Sequence, residues 1–441
     1  MPWIVYRLMG KRCQEGGRSL PTGSASFIER LDKCPILWCR EVMDVTSLWP
    51  AVGVMLVALA TAMCLPQPSH QVSATPRYPS LDGLRGYLAL AVFVSHSSIW
   101  YFYLRTGTWD VPPSNVYTQL GQGSVTLFFM ITGFLFWSKL LDGRQQPIDW
   151  SRLYLSRALR LGPLYLVAVA CVMLMSFGRA GFQLREAPEV VAEHLAQWLL
   201  FTIPGIVPVN GFTETVPLAG VVWSLSYEWL FYAWLPLAAV CLRVQTPIHW
   251  VIVSLTAVVI LVMVMPQVQF PMLYAFAGGI AAAGLVRIAA IRVMLARGVW
   301  GAIAILCLAS TFMVFPTAYT IPSLLLLAGS FLIIACGNSL YGILEWPASI
   351  VLGEMAYSLY LLHSVVLFVT YRLLLAESAA TFSPVEHWAI VLCQVPALIL
   401  ICFATFCFVE KPGMDAVPRW HARLVARRLP SRARAVPEVR H

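Results

Sequence analysis

The sequence predicts an all-α fold, a polytopic bundle of transmembrane helices, and three observations carry that prediction. Of the 441 residues, 59% are hydrophobic and only 12% charged, with a mean hydropathy of +0.74. An ordinary globular domain carries about twice that charged fraction. Several apolar runs reach 18 residues or more, enough for a helix to cross a hydrocarbon core of ~30 Å. The arginines gather in alternate connections between those runs, the pattern that orients helices in a bilayer. A membrane barrel would instead show short alternating segments, and the sequence has none.

The formal charge of +9 follows from that loop bias and calls for no nucleic-acid partner. The eleven cysteines lie mostly inside apolar runs, without C-x-x-C pairs or zinc-type Cys/His spacing. They read as small buried apolar residues, and the sequence carries no metal signal.

The chain divides into an N-terminal extension (1–77), a membrane domain (78–412) and a basic cytoplasmic tail (413–441). Residues 1–47 hold seven basic and five acidic side chains, followed by an uncharged hydrophobic segment, 47–66, and a Pro/Ser-rich linker. If 47–66 spans the membrane, the basic stretch before it lies outside, against the positive-inside rule. Either the segment does not span, or translation starts later, for instance at Met43.

Ten core spans follow: 86–104, 122–141, 159–178, 218–242, 249–266, 270–290, 298–315, 322–342, 352–375 and 386–409. A weaker segment, 190–207, holds Glu193, His194 and Pro204 and reads as a short, partly buried or re-entrant helix. With the first span starting in the cytoplasm, the arginine-rich loops and the tail fall inside. The outer loops then keep only Arg105, Arg179, Arg185 and Arg372. Both ends of the core are therefore expected in the cytoplasm, with Trp100, Tyr101 and Tyr103 as an outer aromatic belt.

Against this background several polar residues stand at the wrong depth. His96 falls near the middle of its span, where ionisable groups are costly and face a protein interior or wet cavity. Arg85 precedes it by eleven residues, three turns plus about 20°, so the two project from one face roughly 16 Å apart. Glu228 is near the middle of 218–242, with Ser224 one turn earlier. His363 is near the middle of 352–375, with Tyr360 on the same face. Singly, each could be a hydrogen bond between helices, and for His363 that is the first reading. Three such groups on different helices point to a shared polar cavity. Arg157 and Arg160, i,i+3 neighbours in "SRLYLSRALRLG", suit either a cytoplasmic boundary or a phosphate site at a helix start. Thr132-Gly133 in "FFMITGFLF" reads as a close packing contact.

Together and in this order, the phrases "LDGLRG" with His96, "FFMITGFLF", the R-x-x-R of Arg157 and Arg160, "WSLSYEWLFYAWLPL", "YSLYLLH" and "FVEKP" resemble the integral-membrane acyltransferase-3 family, bacterial O-acetyltransferase-like proteins that modify glycans. The resemblance covers about residues 78–412. Two positions depart from the family's pattern: Trp229 follows Glu228 where a second acid is common, and Thr132 replaces the usual serine.

The resemblance implies transfer of an acyl group from cytoplasmic acetyl-CoA, or another acyl-CoA, to a hydroxyl of a carbohydrate or glycolipid acceptor, with no metal. It also implies a multi-pass protein of the bacterial inner membrane. Arg85, Arg157 and Arg160 are expected to hold the CoA phosphates. His96 is expected to act as general base on the acceptor hydroxyl, or to take the acyl group transiently as a nucleophile, with the direct route preferred, and Glu228 to orient it or the acceptor. Asp82, Ser224, Tyr360 and His363 are expected to support the site. A reading of another class is a secondary transporter or flippase for a polar or glycolipid solute, with the His and Glu groups as a proton relay. The sequence shows no internal repeat and no paired broken helices of the kind that reading favours.

Overall fold

The computed structural model describes residues 44–66, 78–265 and 268–428. The expectations for residues 1–43, most of the linker and the end of the basic tail lie outside them. The described residues form sixteen α-helices and no strand beyond one isolated bridge, Val209 with Phe212. In chain order these are α1 (Leu48–Met63), α2 (Pro79–Thr106), α3 (Asn115–Asp142), α4 (Trp150–Arg179), α5 (Pro188–Leu199), α6 (Thr215–Ala219), α7 (Trp223–Cys241) and α8 (Ile248–Val264). They continue as α9 (Phe270–Leu285), α10 (Ala289–Leu295), α11 (Gly298–Val314), α12 (Ile321–Ala335), α13 (Pro347–Glu354), α14 (Ala356–Phe368), α15 (Pro384–Thr405) and α16 (Lys411–Arg428). The chain is an all-α, polytopic membrane bundle.

Among the described residues, five helical segments are long and apolar enough to cross a membrane: α2, α3, α4, α14 with its π-helical extension to Leu374, and the run from α15 into α16. A sixth is α9 with α10, if that bent pair counts as one. Helices α1, α8, α11 and α12 are apolar but shorter, at 15 to 17 residues, or about 23–26 Å. The outward faces of α8 and α11 carry exposed aliphatic side chains such as Ile252, Val259, Leu306 and Val314, as a lipid-facing surface should.

Several spans are less regular than the sequence suggests. The expected span 270–290 stops at Leu285, and α10 turns away from α9 by 108°. The expected span 352–375 is broken at Met355 between α13 and α14 and ends in a π-helix, Val369–Leu374. The expected span 218–242 is entered through α6 and a short 3₁₀ turn, Gly220–Val222. Apolar runs set where a chain can be buried, and these breaks are set by packing. The aromatic belt also differs. Trp100 is fully buried and Tyr103 nearly so, because they pack on Tyr371, Phe368 and Trp109 instead of facing lipid. The cysteines divide likewise: Cys336 and Cys402 are buried, whereas Cys241 and Cys393 are exposed on helix surfaces.

Helices α2 and α3 are the centre. Buried residues make up 72% of the apolar window of each, against 33% for the run from α15 into α16. One apolar cluster joins them to α1, α4, α7, α14 and α15; a second joins them to α9, α11 and α12. Glycines allow the closest approaches. A Cβ on Gly133 would lie 2.5 Å from the Phe276 carbonyl, and one on Gly279 would lie 2.0 Å from that of Met130, so α3 and α9 meet backbone to backbone.

The glycines of "LDGLRG" do the same for α2. A Cβ on Gly83 would lie 1.8 Å from the Leu344 carbonyl, and one on Gly353 would lie 1.8 Å from that of Asp82. The contact fixes the start of α2 against α13, and so fixes Arg85. Gly83→Val and Gly353→Val are expected to cost more than the roughly 1–3 kcal/mol of ordinary overpacking, because backbone has to move. Thermal unfolding of the detergent-solubilised protein should show a large loss of stability or of monodisperse material. Gly178→Ala, where a Cβ meets nothing within 4 Å, is the control.

Candidate active site

Five helices bring their polar residues to a cavity of about 100 Å³. Arg85 comes from α2, Thr132 from α3, Arg157 and Arg160 from α4, and Ser224, Glu228 and Tyr232 from α7; Tyr357 and Tyr360 of α14 close it. Three guanidiniums therefore surround one carboxylate. Glu228 accepts from the Tyr232 hydroxyl at 2.9 Å and from the Thr132 hydroxyl at 3.4 Å. Arg85 pairs with Asp82 at 3.3 Å, and the Arg157 guanidinium lies 5.2 Å from the Phe136 ring centroid. Among the described residues, neither Arg157 nor Arg160 forms an ion pair. This surplus of positive charge, with Arg's planar donors, suits a phosphate.

The local backbone supports the geometry. Pro236 in α7 has no N–H for the Tyr232 carbonyl, and the Tyr154 hydroxyl of α4 donates to that carbonyl at 2.9 Å. A proline thus ties α4 to α7 beside Glu228. Asp149 caps α4 by accepting from the Arg152 N–H at 2.9 Å, and it also pairs with His421 of α16 at 2.7 Å. Because α4 begins at Trp150, Arg157 and Arg160 stand two to three turns inside it. The field of a helix start fades within the first turn, so anion preference here comes from the guanidiniums, not from the helix end that the sequence suggested.

His96 and His363 form a second group. Their rings are 5.1 Å apart, with Nε2 of His363 3.3 Å from Nδ1 of His96. Nδ1 of His96 lies 2.9 Å from the Val92 carbonyl, and Nδ1 of His363 lies 2.9 Å from that of Leu359. A carbonyl can only accept, so each Nδ1 carries the proton of a neutral ring. His363 Nε2 then accepts, from His96 and from the Ser364 hydroxyl at 3.3 Å. His96 is left with an unprotonated Nε2 and a partly exposed ring, whereas His363 is fully buried.

The residues singled out in the sequence thus fall into two adjoining groups. Arg85, Arg157, Arg160, Ser224, Glu228 and Tyr360 line the cavity, with Asp82 on Arg85. His96 and His363 are not in that lining. Tyr360 connects the groups: its hydroxyl meets Ser224 at 2.8 Å, and its ring centroid is 6.3 Å from that of His363. The groups that orient His96 are the Val92 carbonyl and His363, while Glu228 is engaged with Tyr232 and Thr132. Sequence reasoning missed Thr132 as a polar partner and missed Tyr232 altogether. Tyr232 stands one helical turn after Glu228, and that spacing was the available signal.

A family profile described as an acyltransferase domain matches residues 78–408. The chain belongs to the acyltransferase-3 family. The protein called acyltransferase MdmB, from Streptomyces mycarofaciens, is 27% identical over 390 residues, covering 80% of this chain and 94% of that protein. No solved structure matches the chain significantly. As an acyltransferase-3 protein, the chain is an enzyme that transfers acyl groups other than aminoacyl groups.

The phrases that resemble the acyltransferase-3 family converge in space. Those on α2, α3, α4, α7 and α14 supply the cavity and the histidine pair. The closing "FVEKP" supplies Glu410, which is 1% exposed and accepts from the Ser358 hydroxyl of α14. Ser358 in turn accepts from Thr405 at 3.0 Å. This carboxylate anchors the end of α15 to the helix that carries His363. Among the described residues, no three His, Cys, Asp or Glu side chains gather as a metal site.

Proposed function

We propose that the protein is a membrane O-acyltransferase that moves an acetyl or related acyl group from cytoplasmic acyl-CoA to a hydroxyl of a carbohydrate or glycolipid acceptor, in a bacterial inner membrane. The observation that carries this reading is the pairing of a three-arginine cavity with a histidine, His96, farther along the helix that carries Arg85. Arg85 and His96 are separated on α2 by a rise of about 16 Å, a span suited to an extended pantetheine arm.

In this reading, Arg85, Arg157 and Arg160 hold CoA phosphate at the cytoplasmic end of the bundle. A cavity of about 100 Å³ has room for a few water-sized groups, so the adenine moiety lies outside it. His96 Nε2 takes the proton of the acceptor hydroxyl as the oxygen attacks the thioester carbonyl. The C–O bond forms, the C–S bond breaks, and the CoA thiolate leaves with the proton now on Nε2. His363 accepts from Nδ1 and keeps the ring turned and its tautomer fixed throughout. Glu228 offsets part of the arginine charge, and its hydrogen bonds hold α3 and α7 around the donor.

The test is thiol release from acetyl-CoA by protein in proteoliposomes, with and without candidate glycan acceptors. Acceptor-dependent CoA release, with label recovered on the acceptor as an ester, is the expected result. Counterflow of labelled solute without consumption of CoA would replace this reading with transport.

A further inference from the structure

Beyond the end of α2, on the side of His96 opposite Arg85, a group of residues remains that the donor cavity and the histidine pair do not use. Trp109, in the link after the α2 cap at Gly107, is half-buried, and its ring centroid is 6.0 Å from that of His96 with 28° between the planes. It meets Tyr103 edge-on at 5.3 Å and Trp100 at 5.6 Å. The Tyr103 hydroxyl donates to Glu214 at 3.0 Å, and Glu214 is ion-paired with Arg372 from the π-helix after α14. The Arg372 guanidinium lies 5.2 Å from the Tyr103 ring and 6.0 Å from the Trp100 ring.

Two donors in this group have no acceptor among the described residues: Nε1 of Trp100, a fully buried side chain, and Nε of Arg372. Buried donors are normally satisfied, so orphans beside a partly open mouth mark a place where a polar ligand belongs. The mouth is not closed to one, since the side chains of Arg372 and Glu214 keep 30% and 23% of their surface exposed. The half-buried aromatic face of Trp109 beside a charged, planar hydrogen-bonding pair suits a ring with an apolar CH face and equatorial hydroxyls.

We propose that Trp109, Tyr103, Glu214 and Arg372 form the acceptor subsite, that its ligand is a sugar ring, and that Trp109 packs against this ring so that one hydroxyl faces Nε2 of His96. This rests on the reading of His96 as the base. It adds that donor and acceptor reach that histidine from opposite ends of α2. Trp109 is thereby a residue that sets acceptor choice, and Glu214 with Arg372 reads the other hydroxyls.

The probes are acetyl-CoA and a panel of methyl hexosides and 6-deoxyhexosides, assayed by CoA release with the full chain in proteoliposomes. With the best glycoside, Trp109→Ala should raise the acceptor KM about tenfold through the loss of one aromatic contact, while the acetyl-CoA KM stays unchanged. Trp109→Phe should stay within about threefold of wild type. Glu214→Gln should also raise the acceptor KM, and it serves if Trp109→Ala does not fold. An unchanged acceptor KM in both Trp109→Ala and Glu214→Gln overturns the subsite and leaves the assignment of His96 standing. Loss of kcat without change in acceptor KM also overturns it, because Trp109 would then act only on the position of His96. Wild-type protein that consumes acetyl-CoA through His96 but acylates no glycoside overturns the sugar as ligand. Wild-type protein that never consumes acetyl-CoA overturns the underlying reading, and this proposal with it.

Discussion

His96→Ala is expected to reduce acyl transfer by a factor of roughly 10²–10⁴, the range lost when a positioned general base is removed, with little effect on folding. The imidazole is partly exposed and makes its hydrogen bonds with a backbone carbonyl and with another histidine, so no buried charge is stranded by its removal. Initial rates of CoA release at saturating donor and acceptor measure the effect, and thermal unfolding provides the control. Activity within threefold of wild type would rule out His96 as base. His363 should behave differently, as a positioning residue. His363→Gln retains a side-chain acceptor for the Nδ1–H of His96 and should keep more activity than His363→Ala. Equal losses in the two variants would mean that only the bulk of His363 matters.

How much of this was legible in the sequence depends on the kind of signal. Fold class follows from the solvent: in lipid, long apolar runs leave the backbone no alternative to helix. The gathering of Arg85, Arg157 and Arg160 could be anticipated because charge is rare in such a chain and each instance stands out against apolar neighbours. The cavity expected to join Glu228 with His96 and His363 instead joins it with these arginines. Helix breaks were less legible. Nothing in "ASIVLGEMAYSLYLLH" announces the interruption at Met355, which arises where α13 is pressed against α2 through Gly83 and Gly353. The hydrogen bonds of Glu228 with Tyr232 and Thr132 were hidden for a related reason. Two residues at similar depth on different helices can face each other or not, and only helix rotation decides. Trp100 shows the same limit from the other side. A tryptophan near a helix end resembles an interfacial anchor in sequence, and only its neighbours, Tyr371 and Phe368 for Trp100, reveal that it belongs to the interior.

The second large effect should come from the arginines and should take a different kinetic form. Arg157→Ala and Arg160→Ala are each expected to raise the acetyl-CoA KM by about ten- to a hundredfold, since a hydrogen bond to a charged group contributes roughly 1.5–3 kcal/mol. kcat should change much less, because phosphates held well away from the thioester contribute similarly in ground and transition states. Lysine at either position should recover only part of the loss, because it keeps the charge but loses the planar donor pair. The double alanine variant is the stricter test. If both guanidiniums grip one phosphate group, the two losses should fall short of additive, as for residues that share a partner. Independent contacts to separate phosphates would multiply the two KM effects. Donor saturation unchanged in both single variants would mean that the arginines serve only the cytoplasmic boundary of the helix. In that case the excess charge around Glu228, which neither Asp82 nor Glu228 fully offsets, would have to act on some other anion.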